Sequence, residues 1–175
     1  MGSVLPPGSV PGNPWNQVPS LRTPEGETIT EVAACLLHLD RHHRSEPIFC
    51  QDNPGRLSRW AVFLSVNLYE PALTMTYPTR YLDPGDAAWG KDALSALKRT
   101  TYARFTRALA VIEATLGEVP ALSGSRPGAA DVYLAMIVSW FPPATAGPRT
   151  RAVCAAVTNQ DPIAQVWESH GLRGF

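Results

Sequence analysis

The chain has 175 residues, of which 45% are hydrophobic, so it is long enough and apolar enough to bury a sizeable core. Its 15 basic and 15 acidic side chains give a formal net charge of zero, which excludes a basic stripe for binding nucleic acid. No apolar run approaches the roughly 20 residues of a membrane helix, and the three cysteines form no C-x-x-C pair. We therefore expect a cytoplasmic protein with reduced thiols and neither a membrane nor a nucleic-acid partner.

The N-terminal third of the chain contains three successive sequence patterns, which are typical of a flexible segment, a β-hairpin and a helix. Residues 1–14 are rich in proline and glycine and predict a flexible leader, since neither residue sustains a helix or a central strand. The stretch QVPSLRT, the turn P-E-G at 24–26 and the β-branched run at 28–30 then predict a β-hairpin. From Thr30, a candidate N-cap, an apolar helical period follows and ends in DRHHR. Residues 15–46 are thus predicted to form a ββα unit, with a linker over 47–56.

The remainder, residues 57–175, reads as helices separated by proline and glycine. Amphipathic patterns span residues near 55 to 70 and 91 to 116, and two shorter helices fit RTRAVCAAVTN and PIAQVWESH. Between them, AADVYLAMIVSWF is apolar almost all round, which places it at the centre of a helical bundle. The predicted fold class is therefore mainly α, a helical bundle preceded by the ββα unit.

Asp131 is the single acid that this central helix carries inward. A catalytic role is one interpretation of Asp131, because lone acids in apolar surroundings occur at active sites. With Gly128 as N-cap, however, Asp131 falls at the third helical position, where a carboxylate reaches back to unpaired N–H groups. A structural cap is the favoured interpretation, and Asp131→Ala is then expected to cost about 0.5–2 kcal/mol.

Other chemistry-bearing residues have simpler interpretations. Cys35, His38 and His42 share one side of the first helix, but they stand among leucines, so we predict no metal site. Tyr69, Tyr77 and Trp140 lie near helix ends or proline and are weak candidates for lining a substrate pocket. The sequence contains none of the signature motifs of hydrolases, NTPases or dinucleotide-dependent dehydrogenases.

Two segments together resemble glutathione transferases. NPWNQVPSLRTPEGETITEVAACLLHLDRHH resembles the second half of their thioredoxin-like domain, with the pattern N-P-x-x-x-V-P-x-L, a turn and the start of the third helix. RWAVFLSVNLYEPALTMTYPTRY and LSGSRPGAADVYLAMIV resemble the first long helix and the core helix of their C-terminal domain. The resemblance implies a partial thioredoxin-like unit over 15–46 and an all-helical domain over 57–175.

The resemblance also implies a glutathione-binding site. In the family the proline of the V-P motif is cis, and the preceding residue turns its N–H and C=O toward the cysteinyl backbone of glutathione, so Val18 and Pro19 form a backbone clamp. The acid and the residue after it at the next helix start hold the γ-glutamyl end, which places Glu31 and Val32 there. Val32 replaces the family's serine, and the lost hydroxyl bond is worth about 0.5–1.5 kcal/mol.

The implied function is binding of glutathione as co-substrate and its conjugation to, or thiol-mediated elimination from, an apolar electrophile, in detoxification or in secondary-metabolite tailoring. The catalytic residue stays unassigned, because the family's thiol-activating residue has no counterpart before Trp15. Two alternatives remain: a non-catalytic interaction or assembly module, and a truncated gene product. A homodimer is a further expectation from the resemblance.

Overall fold

The computed structural model describes residues 11–43, 48–49, 53–82, 91–172 and 174–175. The chain divides into two compact units, residues 1–50 and 51–175, and this division falls within the predicted linker 47–56. Most of the predicted leader, residues 1–10, lies outside the described residues, as do residues 44–47 and 50–52 of the linker region. The assignment of leader and linker therefore stays a prediction.

The first unit has the predicted order of hairpin and helix. Strand β1 (Ser20–Arg22) pairs antiparallel with β2 (Thr28–Thr30), and helix α1 (Val32–His42) follows. The turn closes because the Thr23 N–H donates to the Glu27 carbonyl at 2.8 Å and Gly26 takes a positive φ of 92°. Two sequence expectations shift by one residue: Pro19 precedes β1, and the helix is preceded by Glu31 instead of being capped by Thr30.

The second unit consists of helices in the part of the chain that the structure describes. None of the described helices combines the length and the apolarity needed to cross a membrane. Helices α2 and α3 are joined by a π-helical turn, and short 3₁₀ turns follow α3 and α5. The helices are α2 (Pro54–Leu64), the π turn (Ser65–Tyr69), α3 (Glu70–Thr76), α4 (Lys91–Thr115), α5 (Ala129–Val138), α6 (Pro148–Thr158) and α7 (Ile163–Ser169).

Helix α5 lies at the centre of this unit, as its apolar sequence predicts. Eight of its ten residues are buried, and it packs against both α2 and α6. Helix α4 packs against α3 and α6, so the apolar face of this amphipathic helix contributes to the same core. The largest side chains with almost no exposure are Trp60, Phe105, Leu57, Leu64, Leu68, Ile112, Leu122, Leu134, Ile137 and Val138.

Glu113 of α4 caps the N-terminus of α6 from a distance of more than thirty residues. Its carboxylate accepts hydrogen bonds from the backbone N–H of Arg149 (3.0 Å) and from the N–H and hydroxyl of Thr150 (2.9 and 2.7 Å). Gly147 precedes α6, and a Cβ at this position would collide with the Glu113 carboxylate. The side chain of Glu113 is 20% exposed, so these bonds are partly shielded from water.

The same contacts set the acid behaviour of this carboxyl group. Burial is the largest single influence and raises the pKa of Glu113, but the hydrogen bonds from Arg149 and Thr150 together outweigh it and leave the pKa lowered. A lowered pKa in the folded protein means that the contribution to stability is present above the unfolded pKa of about 4.3 and is lost as pH falls through the folded pKa.

We predict that Glu113→Ala lowers the free energy of unfolding by about 1–3 kcal/mol at neutral pH, because charge-assisted hydrogen bonds to the start of α6 are removed. The difference from the unsubstituted protein is expected to shrink as pH falls from the unfolded pKa through the lower folded pKa of Glu113, because the carboxylate then becomes protonated. Urea denaturation across a pH series measures this. Glu118→Ala is the matched control, since Glu118 is exposed in the loop after α4; equal losses in both variants would contradict the capping role.

Candidate functional site

The hairpin brings the two predicted glutathione-binding pairs together. Ser20 pairs with Thr30, so Val18 and Pro19, just before β1, lie at the same end of the hairpin as Glu31 and Val32, just after β2. The Val18-Pro19 peptide bond is cis. Val18 is 73% exposed, and neither its N–H nor its C=O makes a hydrogen bond within the part of the chain that the structure describes.

Glu31 forms the corner between β2 and α1. It takes a positive φ of 68°, which is uncommon for a residue with a side chain, and its side chain is exposed. The first backbone bond of the helix runs from the Cys35 N–H to the Glu31 carbonyl (2.9 Å), and no side chain caps the earlier N–H groups. The start of α1 therefore presents unpaired donors beside a carboxylate, which is a complementary surface for a zwitterionic group.

Asn13 is a residue near this corner that sequence reasoning missed. It is only 3% exposed, and its side-chain Nδ2 donates to the Gln17 carbonyl (2.6 Å) and to the Ser20 hydroxyl (2.7 Å). The two acceptors lie on either side of Val18 in the chain. Asn13 is the first residue of the N-P-x-x-x-V-P pattern, so a signal was present, but nothing in the sequence indicates that its amide turns inward.

Asp131 lies at the start of α5 and is fully buried. Its carboxylate accepts hydrogen bonds from the backbone N–H of Gly128 (3.0 Å), as the capping interpretation predicts, and from those of Leu122 (2.8 Å) and Ser123 (3.1 Å). The last two donors belong to the loop between α4 and α5. All three bonded groups belong to backbone, so the arrangement is structural: it fixes the loop to the helix.

The described cysteines are poor nucleophiles. Burial and the nearby charge of Asp131 raise the pKa of the Cys154 thiol, and burial raises the pKa of the Cys35 thiol, which contacts the Ile29 carbonyl at 3.5 Å. The rings of His38 and His42 lie 4.4 Å apart. Among the described residues, no group of three or more His, Cys, Asp or Glu side chains is placed to hold a metal ion.

Two of the three predicted pocket aromatics meet in the second unit. The rings of Tyr69 and Trp140 lie 5.5 Å apart, and the ring of Tyr133 lies 6.1 Å from that of Tyr69. Tyr69 ends the π turn, where an extra residue per turn changes the direction of the side chains. Tyr77 follows α3 and is 38% exposed, and the guanidinium of Arg80 covers its ring at 4.3 Å.

Open grooves also occur on the second unit. One, of about 320 Å³, lies between the end of α2 with the π turn and α4, and it combines apolar and basic side chains: Phe63, Asn67, Arg104, Arg107, Ala108 and Val111. Another, of about 330 Å³, lies between α3 and α4 and is lined by Met75, Lys98, Arg99 and Tyr102. Neither contains Tyr69 or Trp140, so the aromatic cluster and these grooves are separate features.

Comparison with known proteins supports the fold. The sequence matches no family model and no curated protein. Among solved structures, a beta-class glutathione S-transferase from Sphingomonas chungbukensis is similar at 22% identity, with a TM-score of 0.67 over 93% of this chain and 78% of that one. A glutathione transferase from Methylococcus capsulatus is similar at 21% identity, with a TM-score of 0.69 over 91% of this chain and 76% of that one.

A third similar structure is a sphingomonad glutathione S-transferase in complex with glutathione, at 22% identity and a TM-score of 0.66 over 92% of this chain and 77% of that one. At these identities the likeness concerns the fold. The chain therefore has a glutathione-transferase-like fold, mainly α, with a helical bundle preceded by a partial thioredoxin-like ββα unit. The fold predicted from the resemblance is confirmed.

We predict that Asp131→Ala lowers the free energy of unfolding by about 3–5 kcal/mol, because it leaves three buried N–H groups without an acceptor. This exceeds the 0.5–2 kcal/mol expected from a helix cap alone, because the donors of Leu122 and Ser123 are lost as well. Chemical denaturation measures the loss. Asp92→Ala, in the exposed first turn of α4, is the control; a loss at Asp131 no larger than at Asp92 would refute the role.

Proposed function

We propose that the chain is a glutathione-transferase-like protein that binds glutathione at the open end of the hairpin. The observation that carries the proposal is the pairing of Ser20 with Thr30, which sets the free backbone of Val18 beside the corner at Glu31. Two different recognition elements, a strand-like backbone edge and a helix start with an acid, thereby face one small region. A tripeptide with a zwitterionic γ-glutamyl end has matching groups for both.

The backbone of Val18 supplies the first element. An extended peptide adds to an exposed backbone edge by pairing its own N–H and C=O with those of the protein. The N–H and C=O of Val18 have no other partner in the described chain, so they can pair with the cysteinyl residue of glutathione without breaking an existing bond. Its exposed position leaves the approach open.

The corner at Glu31 supplies the second element. The α-carboxylate of the γ-glutamyl group suits the unpaired N–H groups and the positive end of α1, and the ammonium suits the Glu31 carboxylate. Val32 offers its backbone N–H alone, so one hydroxyl bond is missing compared with the family pattern, a difference of about 0.5–1.5 kcal/mol. We therefore expect weaker binding than in relatives that carry serine at this place.

The chemistry that follows is attack by the glutathione thiolate on an apolar electrophile. A carbon–sulfur bond forms, the leaving group departs with the electron pair of its bond, and the thiol proton passes to solvent or base. Neither Cys35 nor Cys154 suits the task of activating that thiol, because both are buried with raised pKa values. The role fits detoxification or tailoring of a secondary metabolite, in the cytoplasm.

The binding proposal predicts heat on titration of the protein with glutathione by calorimetry, in the millimolar range or tighter. Glu31→Gln is expected to weaken the affinity about two- to fivefold, because the exposed carboxylate loses its charge interaction with the ammonium. Glu27→Gln is the matched control, an exposed acid on the same hairpin, and is expected to leave the affinity unchanged.

The outcomes separate the two candidate functions. Binding together with turnover of a chlorodinitrobenzene-type electrophile supports a transferase, whereas binding without turnover supports a non-catalytic module with the same site. No heat at millimolar glutathione would overturn the proposal, and equal losses in the Glu31 and Glu27 variants would remove the assignment of the corner.

We also propose that the protein forms a homodimer through the second unit. Val62 and Val66 are 52% and 54% exposed and, four residues apart along α2 and the π turn, lie on nearby faces. Val111 on α4 is 41% exposed and lines the groove of Phe63 and Arg107. Exposed apolar side chains around a groove with basic rims are typical of contact surfaces.

Val66→Glu is expected to shift the protein from dimer to monomer in sedimentation velocity, because it buries a charge in the contact. Val166→Glu, on α7 with a similar exposure of 53%, is the matched control and is expected to remain dimeric. A monomeric unsubstituted protein at high micromolar concentration would contradict the dimer.

A further inference from the structure

We propose that Asn13 is a positioning residue for the glutathione clamp: its side-chain amide holds the segment from Gln17 to Ser20 and thereby aims the backbone of Val18. The inference rests on the proposed function, because the clamp is the part of the site that Asn13 would serve. It concerns a side chain that does not itself touch the ligand.

The geometry is a closed set of three polar groups around Val18. Nδ2 of Asn13 donates one hydrogen to the Gln17 carbonyl (2.6 Å) and the other to the Ser20 hydroxyl (2.7 Å). The Ser20 hydroxyl in turn donates to the Gln17 carbonyl at 3.3 Å. Val18 and Pro19 span the interval between these two anchored residues, so the amide restrains the chain on both sides of the clamp.

Asn13 can impose this restraint because the chain just before it is fixed to the hairpin. The Thr28 hydroxyl of β2 donates to the Pro11 carbonyl at 2.8 Å. Gly12 has a positive φ of 80°, and a Cβ there would come within 2.8 Å of the Thr28 side chain, so the backbone passes close to β2. The amide of Asn13 therefore connects a fixed strand to the segment that carries Val18.

The chemistry requires a donor at this position. The Gln17 carbonyl can only accept, and the Ser20 hydroxyl uses its single hydrogen on that carbonyl, so both neighbours present acceptors to Asn13. The other side-chain atom, Oδ1, is buried without a hydrogen-bond partner in the described residues. The hydrogen bonds of the Asn13 side chain are therefore made by its NH₂ group. An ionised carboxylate of the same shape would place an acceptor oxygen against the two acceptors, Gln17 and Ser20.

The test uses Asn13→Asp and Asn13→Leu, with glutathione affinity measured by calorimetry well below each melting temperature. At about pH 7.5 both variants are expected to bind at least tenfold more weakly than the unsubstituted protein, because the donor is lost. As pH falls toward about 5, Asn13→Asp is expected to recover at least threefold, because a buried carboxyl protonates above its usual range and then donates. Asn13→Leu is expected not to recover, and the unsubstituted protein serves as the reference at each pH.

Two further variants keep the test decisive if those substitutions disturb folding. Ser20→Ala removes one of the two acceptors and is expected to weaken binding about two- to fivefold. Gln17→Ala is the matched control, since Gln17 contributes only its carbonyl and its side chain is exposed; its affinity is expected to be unchanged.

The failures of the two proposals are distinguishable. If the unsubstituted protein binds glutathione but the Asn13 variants bind equally well, or Asn13→Asp shows no recovery beyond that of Asn13→Leu, the positioning role is wrong and the proposed function stands. If the unsubstituted protein does not bind, the proposed function fails and the positioning role fails with it. Nitrogen-15 relaxation at Gln17 and Val18 then still reports whether the amide restrains the segment, as a purely structural finding.

Discussion

The buried carboxylate of Asp131 is the interaction on which the helical unit depends. A charge without exposure to water is costly unless polar partners surround it, and here three backbone N–H groups do so. Two of them belong to the loop after α4 and one to the start of α5. Because α2 and α6 both pack on α5, the position of that helix decides how the rest of the bundle can close.

The hairpin unit depends on side-chain hydrogen bonds more than on its strand pairing. Strands of three residues provide few ladder bonds, and a two-stranded hairpin alone is marginal in water. Side chains supply what the ladder lacks: Thr28 holds the chain at Pro11, and Asn13 holds it at Gln17 and Ser20. The polar groups of this unit therefore set the shape of the backbone at Val18.

The sequence predicted the elements that local chemistry controls. The helical period predicted α4 to within one residue of its C-terminal end, and the uniformly apolar run predicted the central helix α5. The spacing from Gly128 predicted the hydrogen bond from the Gly128 N–H to the Asp131 carboxylate. The V-P motif pointed to the end of the hairpin where Val18 and Glu31 come together. These features depend on residues close in sequence, or on a motif whose role is implied by the resemblance to a family.

What escaped prediction depends on residues that meet only in the fold. Glu113 finds its partners 36 and 37 residues away at Arg149 and Thr150, and no local pattern encodes that meeting. The two loop donors to Asp131 could likewise not be predicted, so the expectation from the sequence counted the helix cap alone. The π turn was also missed, since the sequence SVNLY itself carries no proline or glycine to mark it.

That π turn has a consequence for assigning inward and outward positions along α2 and α3. One extra residue in a helical turn rotates everything after it by about 100°, given 3.6 residues per turn. The same helical spacing therefore points side chains before Ser65 and after Tyr69 in different directions, although α2 and α3 follow one another without a break. An alignment that treats α2 and α3 as a continuous helix will misassign inward and outward positions on one side. Substitutions that are designed by helical period alone will therefore reach different faces before Ser65 and after Tyr69.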